Sequence, residues 1–248
     1  MPARFDQATD PQVVADLATV RLGTAFFRRA LNRLLDDELD QPSLLPGWTR
    51  RHVLAHVGYN ARAIARLVDW AATGVETPMY PSAEARNAEI DFGATLPPEA
   101  LRNLIEHSAI DLDVRWRDLP ADRWLHRVRT AQGRDVPAAE TVWMRTREVW
   151  LHAVDLDSGA RVDQIPAAVG KRLIDDVHRV WSARPDSVVP TLVASDAGTG
   201  WGPSRSDSTV TGSLTALAGW ATGRLTVAKA TELLQWSDGR PGAAPRWI

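Results

Sequence analysis

The 248-residue chain contains no cysteine. This absence excludes disulfide bonds, zinc sites built from cysteine thiolates, and a protein thiol that acts as a nucleophile. Any thiol chemistry that this protein carries out must therefore use a thiol that comes from outside the chain.

The chain also lacks a strong excess of charge of either sign. Its 29 basic and 31 acidic residues give a formal net charge of -2, which provides no general attraction to nucleic acid or anionic lipid. No segment approaches the roughly 18 apolar residues that span a bilayer, and the N-terminal residues lack the pattern of a secretory signal. We therefore expect a cytoplasmic protein that binds neither nucleic acid nor membranes.

The remaining composition is that of an ordinary globular protein. Hydrophobic residues make up 44% of the chain, which is enough for a substantial core. The length suits two modest domains or one large one. We expect most of the eleven tryptophans to be packing residues.

Hydrophobic spacing predicts helices through the first part of the chain. The predicted helices cover residues 12–38, 50–72, a stretch after the loop at 75–84, 99–118 and 138–157. Residues 120–137, with a turn signal at 132–135, are consistent with a hairpin. This succession indicates an up-and-down helical bundle over residues 1–158.

The sequence pattern changes from Ala160 onward. Pro166 begins another helix, and the β-like runs Ser187–Ala194 and Thr209–Thr211 follow it. Ser213 is the expected N-cap of a helix, LTALAGWATG, and the final ten residues are expected to be extended or loosely packed. We interpret residues 160–248 as a smaller α/β domain.

Two pairs of side chains are spaced one helical turn apart. His52 and His56 lie on the second predicted helix, and Glu148 and His152 lie on the fifth. Metal sites in helical bundles are built from such inward-facing pairs on adjacent helices. His56 lies beside the apolar stripe that includes Val53, whereas His52 lies nearer to solvent. A set of two histidines and one glutamate matches zinc sites that have three protein ligands and one open position.

The same spacing also fits a simpler structure. A histidine and a glutamate four residues apart are more often a surface hydrogen bond than a metal site. The metal is also open, because nickel and copper accept the same nitrogen and oxygen ligands. The other histidines, His52, His107, His126 and His178, are expected to be structural or exposed.

Several segments resemble mycothiol-dependent maleylpyruvate isomerase. The similarity is carried by GWTRRHVLAHVGYNA, TGVETPMYPSAEARNAEI, RTAQGRDVPAAETVWMRTREVWLHAVDL and GSLTALAGWATGR. It weakens around residues 160–208 and after Arg224. The resemblance implies a mainly α fold, in which a DinB-like four-helix metal-binding bundle precedes a small α/β (α+β) C-terminal domain that contributes to the active site.

The resemblance also implies roles for individual residues. His56, Glu148 and His152 would be the metal ligands, with Zn²⁺ as the expected metal. Arg224 would be a catalytic residue that also binds the substrate. The expected cofactors are therefore zinc and mycothiol.

Further candidates come from positions near these residues. Asn60 lies one turn beyond His56, where it can bond to the substrate or to a ligand. Tyr80 and Arg86 lie in or near the following loop, and they are candidates for contacts with mycothiol or the substrate, although loop packing also accounts for them. Asp155, three residues after His152, is a candidate for orienting that imidazole.

The implied activity is the cis–trans isomerisation of maleylpyruvate to fumarylpyruvate in gentisate-type aromatic catabolism. A thiolate that adds reversibly to the double bond makes it temporarily single, so that it can rotate. Two alternatives use the same features: a mycothiol S-transferase, and a metal-stabilised binding module without turnover. The partners expected are a small-molecule substrate and a low-molecular-weight thiol. The sequence does not determine the oligomeric state, and a monomer is the default expectation.

Overall fold

The computed structural model describes residues 5–184, 189–202 and 208–247. The chain divides into two units, Met1–Gly159 and Ala160–Ile248, and each unit is described by itself. None of the described helices has the length and apolar character needed to cross a membrane.

The first unit is built from helices and one hairpin. The helices are α1 (Pro11–Leu31), α2 (Arg50–Thr73), α3 (Ala83–Ala94), α4 (Pro98–Asp118) and α5 (Glu140–Asp155). Strands β1 (Arg127–Arg129) and β2 (Asp135–Pro137) form the predicted hairpin and pair antiparallel between α4 and α5. In the bundle, α1 packs on α5, and α2 packs on α4, α3 and α5. The packing of α2 on α5 brings His56 of the first candidate pair to Glu148 and His152 of the second.

Local sequence signals account for where the helices begin and end. Asp10 caps α1, because its carboxylate accepts hydrogen bonds from the amides of Gln12 and Val13, which have no partner within the helix. Helix α2 ends at Thr73, and the next residue, Gly74, has a φ of +77°. Glycine adopts this left-handed conformation without the steric cost that a Cβ brings.

The first helix is shorter than the sequence predicts. It ends at Leu31, and residues Asp37–Asp40 form a separate short 3₁₀ helix. Arg102 of α4 donates hydrogen bonds to the carbonyls of Leu31 and Leu34, and so satisfies acceptors that a longer helix would have paired with its own amides. The prediction of a helix to residue 38 was therefore wrong, because a side chain from elsewhere in the bundle stabilises the early end.

The second unit combines a mixed sheet with helices. Its elements are α6 (Ala167–Ser182), β3 (Thr191–Ala194), β4 (Thr199–Trp201), β5 (Thr209–Gly212), α7 (Leu214–Ala221), α8 (Val227–Leu233) and β6 (Leu234–Trp236). The strand order is β4-β3-β5-β6, in which β3 and β5 are parallel and the other pairs are antiparallel. Ser213 caps α7 as predicted. The predicted strand from Ser187 begins outside the described residues, whereas β4, α8 and β6 were not predicted.

The segment after β6 is not loosely packed. The indole of Trp181 donates a hydrogen bond to the carbonyl of Pro245 over 3.0 Å, and the indole of Trp220 donates one to Gly242 over 2.8 Å. Trp247 is buried. Side chains of α6 and α7 therefore hold this segment against the second unit through its main chain.

The predicted fold class is confirmed. A mainly helical first unit precedes a second unit in which helices accompany a small mixed sheet. Most of the tryptophans are buried, which agrees with their expected role in packing.

Candidate metal centre

Helices α2 and α5 bring His56, Glu148 and His152 together inside the bundle. One possible ligand atom from each of the three residues lies within 4.8 Å of the other two. Oε2 of Glu148 lies 2.8 Å from Nε2 of His56 and 3.2 Å from Nε2 of His152. The two imidazole rings are nearly perpendicular, at 87°, with their centroids 4.8 Å apart. Both rings thus direct Nε2 toward the same carboxylate oxygen.

The cluster is largely shielded from water. The side chain of His56 is 7% exposed, that of His152 is 11% exposed and that of Glu148 is 18% exposed. Burial lowers the pKa of His56 and outweighs its contact with Glu148. Burial alone would raise the pKa of Glu148, but hydrogen bonds from His152 and His56 hold it well below its ordinary value. The structure therefore favours a neutral imidazole at His56 and an ionised carboxylate at Glu148, which are the forms that bind metals.

His152 has a further partner on its outer side. Oδ2 of Asp155 lies 2.8 Å from Nδ1 of His152, and Asp155 is completely buried. Burial lowers the pKa of His152, but the bonds to Asp155 and Glu148 outweigh it and raise the pKa overall. A carboxylate at Nδ1 keeps a proton on that nitrogen. Nε2 is therefore the nitrogen that can bind a cation, once it gives up the hydrogen that it donates to Glu148. The predicted pairing of Asp155 with His152 is confirmed.

The donor set fits a divalent metal of the zinc type. Two imidazole nitrogens and one carboxylate oxygen converge, and one imidazole has a carboxylate behind it. Catalytic zinc sites use three such ligands and leave a further position open. The geometry does not separate zinc from nickel or copper, which accept the same ligand types.

Arg86 of α3 contacts His56 of the cluster. Nη2 of Arg86 lies 3.3 Å from Nδ1 of His56. A guanidinium only donates hydrogen bonds, so this contact needs an unprotonated Nδ1 and places the imidazole proton on Nε2. Binding of a metal through Nε2 needs the opposite tautomer. Contact with Arg86 and ligation through Nε2 of His56 therefore exclude each other.

Two aromatic side chains lie near the same residues. The ring of Trp48 lies 5.5 Å from that of His56, centroid to centroid, and covers one side of it. Burial raises the pKa of Tyr80 to about 12, although the charge of Arg86 lowers it. Tyr80 therefore keeps its phenolic proton at neutral pH. The guanidinium of Arg66 lies over the Tyr80 ring, at 5.8 Å from the centroid.

Asn60 is placed differently from the other candidates. It lies on α2 one turn beyond His56, and it is buried. Its Oδ1 accepts a hydrogen bond of 2.9 Å from Nη1 of Arg145. The amide oxygen is thus engaged by α5 in the bundle interior, and the NH₂ group has no hydrogen bond to a described residue.

His52 has a structural position, as expected. Its Nδ1 lies 3.3 Å from the backbone nitrogen of Thr49 and 2.8 Å from the Thr49 hydroxyl. Nδ1 of His52 therefore accepts a hydrogen bond from the backbone amide of Thr49 and caps the first turn of α2.

Arg224 lies in the second unit, in the turn after α7. It is partly buried, and its Nη1 donates a 2.6 Å hydrogen bond to the carbonyl of Thr222. Its backbone amide donates to Gly219. The chain around Arg224 is thus fixed by local hydrogen bonds.

Sequence reasoning missed two residues of this region. Trp48 was grouped with the packing tryptophans, and its position in the turn before α2 was the available signal for contact with that helix. Arg145 was not singled out, although it lies three residues before Glu148 and so on a similar face of the same helix.

Comparisons with known proteins show a family and a fold for this chain. The family profile described as "Mycothiol maleylpyruvate isomerase N-terminal domain" matches residues 20–157. The crystal structure of the mycothiol-dependent maleylpyruvate isomerase is 43% identical in sequence and superimposes with a TM-score of 0.89, covering 95% of this chain and 97% of that one. The structure of a histidine-to-alanine mutant of that enzyme matches equally well. Comparison with curated proteins gives no match.

Proposed function

Because the chain belongs to the mycothiol maleylpyruvate isomerase family, we propose that it is a zinc- and mycothiol-dependent isomerase that converts maleylpyruvate to fumarylpyruvate. The observation that carries the proposal is the buried cluster of His56, Glu148 and His152. The complete lack of cysteine supports it further, since the chain has no thiol of its own to act on a double bond.

When bound, zinc would keep the thiol of mycothiol as a thiolate at neutral pH. A thiolate is a nucleophile, and its reversible addition to the substrate would allow the double bond to rotate. His56 and His152 would hold the metal through Nε2, and Glu148 would hold it through a carboxylate oxygen. Asp155 accepts the Nδ1 proton of His152 and keeps its Nε2 available. Trp48, packed on His56, excludes water from one side.

The substrate carries carboxylates, so the proposal needs cationic groups to bind it. We assign this role to Arg224, whose planar guanidinium can pair with a carboxylate through two hydrogen bonds and can stabilise negative charge that develops on the substrate. Arg86 contacts His56 of the cluster, and ligation of the metal by His56 frees it to bind substrate or thiol. Tyr80, with its proton retained, is available there as a hydrogen-bond donor. Asn60 has its NH₂ group left for the same purpose.

The test measures metal content and isomerisation on the same purified protein. We expect about one zinc per chain, and turnover that requires both zinc and mycothiol. His56→Ala should lose the metal and the activity, whereas His107→Ala, at an exposed position on α4, should retain both. Turnover at the parental rate in a zinc-free His56→Ala protein would refute the role of the cluster.

Two further measurements separate the alternatives. If the protein is an isomerase, the free thiol concentration stays constant during turnover, whereas a mycothiol S-transferase consumes thiol in step with the substrate. Arg224→Gln should keep zinc and lose turnover. Loss of zinc from this variant would contradict the assignment of Arg224 to the substrate, and absence of any turnover in the zinc-loaded parent would indicate a binding module.

A further inference from the structure

Arg145 is a buried cation that the proposed reaction does not use. Only 2% of the residue is exposed. Its Nη1 donates hydrogen bonds to the carbonyl of Val57 over 2.6 Å and to Oδ1 of Asn60 over 2.9 Å. Both acceptors are uncharged, and among the described residues no carboxylate forms an ion pair with this guanidinium. A buried charge that no carboxylate contacts directly is costly unless something else compensates it.

The charge persists at neutral pH. Burial lowers the pKa of Arg145 to about 10, and the charge of Glu148 opposes the shift. The side chain is therefore still protonated under physiological conditions. The hydrogen bonds to described protein groups all leave from Nη1. Within residues 5–184, 189–202 and 208–247, no group accepts a hydrogen bond from Nε or Nη2, which lie side by side on one edge of the guanidinium.

A cavity of about 360 Å³ lies between α1 and α4, and Arg145 lines it. This volume is in the range of pockets that hold small ligands. Apart from its four arginines, Thr24 and Asp113, the lining is apolar and includes Val20, Ala25, Ala109 and Leu112. The cavity thus combines one buried positive charge with walls that suit a hydrocarbon body.

The other cations that line the cavity are already neutralised. Arg21 pairs with Asp113, which also lines the cavity. Arg28 pairs with Glu106 of α4, and Arg117 pairs with the adjacent Asp118. Arg145 alone among these arginines lacks a carboxylate partner. The cavity therefore calls for a ligand with a single negative charge, since a second carboxylate against the apolar walls would be unpaired.

We propose that this cavity binds a small monocarboxylate with an apolar body, whose two carboxylate oxygens accept hydrogen bonds from Nε and Nη2 of Arg145. The side edge of a guanidinium presents two parallel N–H groups at the spacing of carboxylate oxygens. This site is distinct from the cluster of His56, Glu148 and His152, and it needs no metal.

The test uses para-fluorobenzoate and the neutral para-fluorobenzyl alcohol as matched probes, with binding to the full-length protein followed by fluorine NMR. A charge-assisted pair should make the acid bind about ten- to a hundredfold more tightly than the alcohol. Ala25→Phe, which fills the cavity and leaves Arg145 in place, should weaken binding of the acid at least about tenfold. Ala18→Leu, at an exposed position on the same helix, should leave it unchanged.

A second pair of variants identifies where the acid binds. Arg145→Met should abolish the preference for the acid over the alcohol. This change also leaves the carbonyl of Val57 and Oδ1 of Asn60 without their donor. If the variant does not fold, Ala25→Phe provides the test. His56→Ala should bind the acid as the parent does. Equal affinity for the two probes, full binding by a folded Ala25→Phe protein, or loss of binding in His56→Ala would each overturn the proposal. None of these outcomes depends on isomerase activity.

Discussion

The buried contact between His152 and Asp155 makes a quantitative prediction about metal affinity. Asp155→Asn keeps the shape of the side chain and an oxygen that can accept the Nδ1 proton, but it removes the negative charge. Hydrogen bonds to charged groups contribute about 1.5–3 kcal/mol, against about 1 kcal/mol for neutral ones. The difference of roughly 1–2 kcal/mol corresponds to a zinc Kd raised by about five- to thirtyfold.

The measurement is a competition titration of zinc between the protein and a chromophoric chelator. It should cover a range of pH, because loss of Asp155 also removes a contact that raises the pKa of His152. Asp91→Asn, an exposed change on α3, is the matched control and should bind zinc as the parent does. A folded Asp155→Asn protein with the parental zinc Kd at every pH would refute the reasoning that Asp155 prepares His152 as a ligand.

Three other changes test the fold. Gly23→Ala should destabilise the bundle by about 1–3 kcal/mol in urea unfolding, because its Cβ would lie only 2.5 Å from Nε1 of Trp150; an unchanged midpoint would show that α1 and α5 can separate freely. Gly74→Ala meets no neighbouring atom within 4 Å, so it should cost only the backbone strain of a positive φ, about 1 kcal/mol, and a larger loss would point to a contact. The hydrogen bond from Arg21 lowers the pKa of Asp6, so this carboxylate stabilises the fold above its unfolded pKa and loses that effect as pH falls through the lower folded value. The stability difference between the parent and Asp6→Asn should thus disappear in acid, and a difference that grows in acid would contradict this.

The sequence predicts the parts of this molecule that depend on local pattern. The spacing of His56 from the apolar stripe and the separation of Glu148 from His152 are properties of single helices, and both hold in the structure. The cap at Ser213 is also local. Each of these signals lies within a few residues of the feature that it determines.

The missed features depend on partners that are distant in the chain. Helix α1 ends early because Arg102 of α4 satisfies its carbonyls. Strand β6 is only three residues long and is defined by its pairing with β5. Arg145 donates its hydrogen bonds to uncharged acceptors of α2, which lie more than eighty residues before it in the chain. No window of sequence around these residues contains the atoms that decide their structure.

The anchoring of the segment after β6 determines which substitutions it can accept. The donors are the indoles of Trp181 and Trp220, and the acceptors are the main-chain carbonyls of Pro245 and Gly242. Since every amino acid supplies a carbonyl, most replacements in the anchored segment keep those two bonds intact. A mutational scan should therefore find tolerance at most positions of the segment other than the buried Trp247, and intolerance at two tryptophans more than twenty positions away.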